Sequence, residues 1–328
     1  MAEIFKTIVE QEESTIIAHY EPTERDRSAY QGELAMENKL IKQLVDELGY
    51  EHPIIRNEED LLANIRKQLE RLNDYVFTDK DWNTFLNNEL ANAALTIKDK
   101  TAIIQDSETV LNFTKSDGES QNITLIDKNN LYNNVVQVIN QYVPEGGKHA
   151  NRYDVTILVN GLPMVQIELK RRGVDIREAF NQINRYQKES YWAGKALFEY
   201  VQLFVISNGT FTRYYSNSTR QSQIKEIDKH GTNKKVLMSN SYEFTSAWSD
   251  EKNKPIEDLE DFATHFLKKS KLLKILTRYC VFTVARDLMV MRPYQIAATE
   301  KILLKIDTAI KNRWQCTKRG GGYIWHTT

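Results

Sequence analysis

The residues of this sequence best suited to chemistry are two carboxylates and a lysine, Asp154, Glu168 and Lys170. They lie on two β-branched, apolar runs, Tyr153–Val159 and Met164–Lys170, which predict two antiparallel strands. Residues two apart on a strand share a face, so the glutamate and the lysine point the same way. Two carboxylates with the intervening main-chain oxygens form an all-oxygen site that suits Mg²⁺ rather than Zn²⁺. A lysine beside such an ion can position or activate a water, which is the chemistry of phosphodiester hydrolysis.

Whether the two carboxylates meet depends on the number of residues in the hairpin loop. If Asn160 and Gly161 alone form the loop, Asp154 and Glu168 lie on opposite sides of the sheet. A three-residue loop, from Asn160 to Leu162, places them opposite each other. We therefore predict an odd-numbered loop or a bulge, with Gly161 at positive φ. The alternative is that the Glu-x-Lys segment is the solvated face of an ordinary hairpin.

A glutamine and a tyrosine follow on the next predicted helix. Asp175 and Glu178 have the spacing of a capping box, which predicts a helix that continues through Glu189. Gln182 and Tyr186 are four residues apart and so share one face of that helix. There the amide and the phenol could hold a phosphate or orient metal ligands. The alternative is a tyrosine at the edge of the core with a neighbouring glutamine.

The elements that must position these side chains predict an α/β fold. Helical periodicity predicts a first helix between Ser28 and Gly49 and a second helical region over 57–95. A mixed central sheet flanked by helices follows from the predicted strands. Those strands, besides the hairpin, cover 133–142, 199–206 and 210–215, with short strands over 101–113 and 120–126 and a helical stretch from Pro255.

The acidic hairpin and the helix after it resemble a known nuclease pattern. The arrangement D-(x)13-E-x-K, followed by Gln182-Ile-Asn-Arg-Tyr186, resembles the PD-(D/E)xK nuclease superfamily in its exonuclease-like branch. The segments R-Y-D-V-T-I-L-V-N-G-L-P and Q-I-E-L-K-R-R-G resemble the nuclease region of the motor (restriction, R) subunit of type I restriction endonucleases. This resemblance covers residues 30–328. One departure is that Tyr153, rather than proline, precedes Asp154.

The resemblance implies a restriction-endonuclease-like fold and roles for several residues. Asp154, Glu168 and Lys170 would be catalytic, with Mg²⁺ held by the two carboxylates and by Glu37 of the first helix. Gln182 and Tyr186 would support the site. Arg171 and Arg172, next to the lysine, are expected to support DNA binding.

The carboxyl-terminal part of the sequence resembles the start of a motor domain. Met291-Arg-Pro-Tyr-Gln295 is similar to the adenine-reading glutamine motif of superfamily 2 helicases, in which Gln295 would bind the nucleotide. Gly320–Thr328 resembles the strand that leads into a phosphate-binding loop, but no G-x-x-x-x-G-K-[S/T] sequence follows. We therefore expect an amino-terminal piece of a longer ATP-driven protein, without ATPase activity of its own.

Composition narrows the class of protein further. The chain has 328 residues and 41% hydrophobic content, enough for a sizeable core. It has no run of eighteen apolar residues and no signal-peptide core, so we expect a cytoplasmic protein. Cys280 and Cys316 suggest neither a disulfide framework nor a zinc site. With a formal net charge of −1, any contact with DNA must use a local patch.

These observations combine into one expected organisation. An arm covers residues 1–30, an endonuclease domain 31–254, a helical connector 255–285, and the beginning of a superfamily 2 helicase RecA-like domain 286–328. By resemblance, the whole protein would act with methylation and specificity subunits, translocate double-stranded DNA with ATP and then cut it. Two alternatives are a non-catalytic module that anchors a DNA translocase complex, and a stand-alone repair or exonuclease-like enzyme.

Overall fold

The centre of the protein is a five-stranded mixed sheet. A computed structural model describes residues 5–7, 18–22, 32–106, 110–146, 151–217, 242–250 and 252–323. The strands of the sheet are β5 (Val136–Tyr142), β6 (Tyr153–Val159), β7 (Leu162–Leu169), β8 (Leu203–Ser207) and β9 (Thr212–Ser216). They lie in the order β5-β6-β7-β8-β9, in which β7 and β8 pair parallel and the other neighbours pair antiparallel. The predicted mixed α/β architecture is confirmed.

Eight α-helices accompany this sheet in the described residues. Short π-helical turns extend two of them, over Gln43–Glu47 and Leu86–Leu90, and 3-10 turns cover Leu131–Asn133 and Leu197–Tyr200. The helices are α1 (Glu33–Lys42), α2 (Glu58–Asn73), α3 (Asp79–Phe85), α4 (Ile97–Gln105), α5 (Arg177–Glu189), α6 (Leu259–Phe266), α7 (Lys269–Arg278) and α8 (Pro293–Lys311).

In the described residues, four two-stranded sheets lie outside the central one. They pair β1 (Phe5–Thr7) with β2 (Ala18–Tyr20), β3 (Leu111–Thr114) with β4 (Ser120–Ile123), β10 (Trp248–Ser249) with β11 (Pro255–Ile256), and β12 (Cys280–Phe282) with β13 (Leu288–Val290).

Strand β7 lies in the middle of the core. All eight of its residues are buried, and both α1 and α5 contact it. A strand that is covered on both faces reads as a nearly continuous apolar run, as β7 does apart from Gln166 and Glu168. Helix α5 connects β7 to its parallel neighbour β8, as parallel strands require a crossover. Any charged side chain on β7 is therefore placed in the interior.

Several of the predicted elements differ from the structure. Residues 101–105 end helix α4 rather than begin a strand, because Thr96 and Asp99 form a capping box that starts the helix at Ile97. The capping box predicted at Asp175 is wrong: its carboxylate accepts a hydrogen bond from the backbone of Arg177, two residues on. Pro255 lies in strand β11, and the helical stretch begins later, at α6.

The carboxyl-terminal elements pack on the first helix. The Tyr50 hydroxyl donates to the carbonyl of Leu267 at 2.5 Å, and the Gln43 amide donates to the carbonyl of Glu260 at 3.0 Å.

The strand predicted at the carboxyl-terminal end is not observed. Residues 320–323 form a turn and irregular backbone, and 324–328 lie outside the described residues, as do most of 1–30 and all of 218–241. In the part of the chain that the structure describes, no helix is long and apolar enough to cross a membrane.

Candidate functional site

A bulge in strand β7 decides which side chains meet at the hairpin. The turn has two residues, Asn160 and Gly161, with φ of 48° and 82°. Of the predicted alternatives, an odd-numbered loop or a bulge, the structure excludes the three-residue loop and has the bulge, and the predicted positive φ at Gly161 is confirmed. After two regular pairs the register shifts, since Leu158 faces Pro163 whereas Ile157 faces Val165.

Met164 is the extra residue between those two pairs. One additional residue moves every later side chain of the strand to the other face. Val155 consequently faces Ile167, and continuing the same register sets Asp154 across from Glu168. The bulge thus brings together the two carboxylates that a plain two-residue hairpin would separate.

The two carboxylates and Lys170 form a compact cluster. The backbone N–H of Leu169 donates to Asp154 Oδ2 at 2.9 Å. Lys170 Nζ lies 3.4 Å from Glu168 Oε1 and donates to the carbonyl oxygen of Leu169 at 3.0 Å. Glu168 has no exposed surface, and its Oε2 atom accepts no hydrogen bond from the described residues. The predicted proximity of these three side chains is confirmed.

When all three side chains are ionised, the cluster carries two negative charges and one positive charge. Burial raises the pKa of Glu168 well above its ordinary value, and the negative charge of Asp154 adds to the rise, while Lys170 opposes it. Burial also raises the pKa of Asp154, against the Leu169 N–H and the charge of Lys170. Two adjacent carboxylates compete for one proton unless a cation balances them.

The donor set fits a hard divalent cation. Among the described residues, no group of three or more His, Cys, Asp or Glu side chains is arranged to hold a metal ion. Mg²⁺ is usually bound by only one or two carboxylates and keeps several waters. Asp154, Glu168 and the carbonyl oxygen of Leu169 match that requirement, and Glu168 Oε2, to which no group of the described residues donates, is available as a ligand.

Helix α1 brings two further carboxylates to the cluster. The charge of Asp154 acts on Glu37, whose pKa is raised chiefly by burial. The side-chain amides of Asn140 and Gln141 donate to its two oxygens at 2.7 and 2.5 Å. Glu33 Oε1 lies 3.9 Å from Lys170 Nζ. Sequence reasoning placed Glu37 here but missed both amides, because nothing in the local pattern marks the end of β5 as part of the site.

The glutamine and tyrosine of α5 also reach the cluster. Gln182 Nε2 donates to the Tyr186 hydroxyl, which donates to the carbonyl of Arg152 at 2.8 Å. Burial raises the pKa of Tyr186, and the negative charge of Glu168 raises it further, so the two groups are close. The predicted adjacency of the amide and the phenol is confirmed.

The remaining predicted residues lie in different surroundings. Arg171 is exposed, and its backbone N–H donates to Glu33 Oε1 at 3.4 Å. Arg172 is half-buried and lines a small cavity beside Gly209. Gln295 is exposed at the start of α8, where its Oε1 accepts from the backbone N–H of Arg292 at 2.9 Å.

Comparison with known proteins identifies the relatives of this chain. Residues 30–223, which include the whole cluster, match the family model described as type I restriction enzyme R protein N terminus. The type I restriction enzyme EcoprrI endonuclease subunit of Escherichia coli is 44% identical over 326 residues, 99% of this chain and 98% of that relative.

Two staphylococcal relatives are much longer than this chain. The SauCOLORF180P endonuclease subunit of Staphylococcus aureus (strain COL) is 37% identical over 311 residues, 92% of this chain and 29% of the relative. The SsaAORF53P endonuclease subunit of Staphylococcus saprophyticus is 37% identical over 309 residues, 91% of this chain and 29% of the relative. Both are named as type I restriction enzymes.

Proposed function

Because this chain belongs to the family of type I restriction enzyme R protein N termini, we propose that it is a Mg²⁺-dependent endonuclease region that hydrolyses phosphodiester bonds of double-stranded DNA. The observation that carries the proposal is the meeting of Asp154 and Glu168 across the bulged hairpin, with the Lys170 ammonium 3.4 Å from Glu168. A scaffold strand has no evident need to bury two carboxylates and a lysine together, since burying charge is costly.

Each residue of the cluster has a role in the proposal. Asp154, Glu168 and the Leu169 carbonyl would hold Mg²⁺, which would supply polarisation of a phosphoryl oxygen and a lowered pKa for a water. Lys170 orients the attacking water and offsets the negative charge that develops on the phosphate. General acid–base assistance of this kind contributes about 10²–10⁴-fold in rate.

The surrounding residues hold those groups in place. Glu37, which is fixed by two amide hydrogen bonds, adds negative charge beside Asp154 and is proposed as a further ligand through water or directly. Gln182 and Tyr186 border the site on the side of Glu168. There they would contact the DNA phosphate or orient the metal ligands. Arg171 is proposed to contact the DNA backbone near the cut, with Arg172 supporting it.

The proposed setting is a larger cytoplasmic motor complex. There the methylation and specificity subunits recognise the sequence and ATP drives translocation, so this chain contacts phosphates rather than base edges. We propose residues 1–30 as an arm, 31–254 as the endonuclease domain, 255–285 as a connector and 286–328 as the beginning of a superfamily 2 helicase domain. Gln295 would read adenine there.

Plasmid cleavage tests the proposal. The R subunit that carries this chain would be assembled with its partner subunits, Mg²⁺ and ATP, and the variants Lys170→Ala and Glu168→Ala compared with wild type. We expect cutting to fall by about 10²–10⁴-fold with ATP hydrolysis retained, because only the hydrolytic cluster is altered. Lys188→Ala and Glu178→Ala, which change exposed residues of α5, should leave cutting unchanged.

The same variants distinguish a nuclease from an anchoring module. If Lys170→Ala and Glu168→Ala cut as well as wild type, the catalytic site lies elsewhere and the hairpin is structural. Measuring Mn²⁺ binding by electron paramagnetic resonance adds an independent readout, since Glu168→Ala should weaken it and Glu178→Ala should not.

A further inference from the structure

A basic groove lies between helix α7 and the loop that precedes strand β5. Its volume is about 500 Å³, and four cationic side chains line it together with an exposed tyrosine. No acidic residue lines it among the described residues. The cations are Lys268, Lys269, Lys274 and Arg278, and the tyrosine is Tyr132, 88% exposed.

The positive charges at the start of helix α7 are unfavourable for the dipole of that helix. Acidic residues stabilise the positive end of a helix dipole, but the first turn of α7 contains none and begins at Lys268, which forms no side-chain cap. Burial lowers the pKa of Lys271, on the inner side of the same turn, to about 7, and the positive charges of Lys268 and Lys274 act in the same direction. The described lining of the groove therefore carries four cationic side chains and no acidic one, although the net charge of the chain is −1.

The groove is separated from the catalytic cluster by the length of the first helix. Glu33 and Glu37 lie at the cluster, whereas Leu48, just after the π-helical end of that helix, lines the groove. At 1.5 Å per residue the separation is about 20 Å, or about six base pairs of B-form DNA. Asp46 and Glu47 directly precede Leu48 in the sequence, but neither side chain lines the groove.

We propose that this basic groove binds the phosphate backbone of duplex DNA on one side of the cleavage position. Lysine, arginine, tyrosine and asparagine side chains are the usual donors to phosphate oxygens, and Asn129 and Asn130 line the groove beside Tyr132. The inference rests on the proposed function, because that function supplies duplex DNA as the occupant. It adds a contact remote from the reacting phosphate, which holds the duplex while the cluster cuts.

Salt-dependent DNA binding tests this groove. Binding of the whole chain to a labelled duplex would be measured by fluorescence anisotropy in EDTA, between about 50 and 200 mM KCl. The variant Lys268→Gln/Lys274→Gln should reduce the slope of log affinity against log salt by about 2, since each lost phosphate contact removes about 1. The control Lys301→Gln/Lys305→Gln removes two exposed charges from α8 and should keep the wild-type slope.

A second variant avoids any effect on helix α7. Tyr132→Glu places a negative charge at an exposed position, so the fold is retained and binding should weaken. Equal slopes for the groove variant and its control would overturn the proposal. Unchanged slopes together with lost assembly with the partner subunits would also overturn it, and would assign the groove to an acidic protein surface.

The two proposals fail in different ways. If the wild-type complex cuts plasmid but the groove variants bind DNA normally, the nuclease assignment stands and the groove assignment falls. If the groove variants lose the salt-dependent binding while the wild-type complex never cuts, the groove assignment stands and the nuclease assignment falls.

Discussion

Gly161 is the position at which the hairpin is most sensitive to a single methyl group. Its φ is +82°, and a Cβ built there would lie 2.7 Å from the Cα and 3.0 Å from the backbone N of Ile65 in α2. The left-handed conformation costs a non-glycine residue about 1–2 kcal/mol. Overpacking against a helix backbone costs about 1–3 kcal/mol more. Gly161→Ala should therefore lower the free energy of unfolding by about 2–5 kcal/mol.

Gly118 provides the matched control for this prediction. It has a φ of +90°, and a Cβ there would meet nothing within 4 Å. Gly118→Ala should therefore cost only the conformational part, about 1–2 kcal/mol. Urea unfolding of the two variants, monitored by tryptophan fluorescence, gives both values. If both variants lose the same stability, the close approach of the hairpin to α2 does not matter and the reasoning is refuted.

Two further predictions concern the charged cluster. The pKa of Glu168 is raised in the folded protein, so its contribution to stability is complete below the ordinary value of 4.5 and is lost as pH rises through the folded value. Unfolding of the metal-free protein should show this loss, Glu168→Gln should abolish that part of the pH dependence, and Glu178→Gln should retain it. Gln141→Gly relieves a φ of +57° but removes an amide from Glu37; it should weaken Mn²⁺ binding by about 10–100-fold with little loss of stability, and equal binding would contradict this.

The sequence by itself determined the local parts of the site. The β-branched, apolar runs of β6 and β7 predicted both strands, and a spacing of two put Glu168 and Lys170 on one face. A spacing of four put Gln182 beside Tyr186 on α5. Which side chains share a face depends only on the period of the strand or the helix, and that period is a property of the local backbone.

Tertiary packing decided the position of the bulge. Strand β7 is paired on both edges, and the carbonyl of Met164 accepts from the backbone N–H of Gln202, on the segment leading into β8. No local signal distinguishes a bulge there from a longer turn, since both restore the same parity. The sequence therefore predicted that Asp154 and Glu168 must face each other without determining how.

Contacts between distant segments of the chain completed the site, and some predictions made from local sequence were wrong. Asn140 and Gln141 reach Glu37 across more than 100 residues, which no periodicity encodes. The helix over 97–105 was missed because its apolar residues also suit a strand, and its start depends on the Thr96 cap. Short-range periodicity thus determined which residues could do chemistry, whereas strand pairing and helix packing decided which of them meet, because only the folded chain brings remote segments into contact.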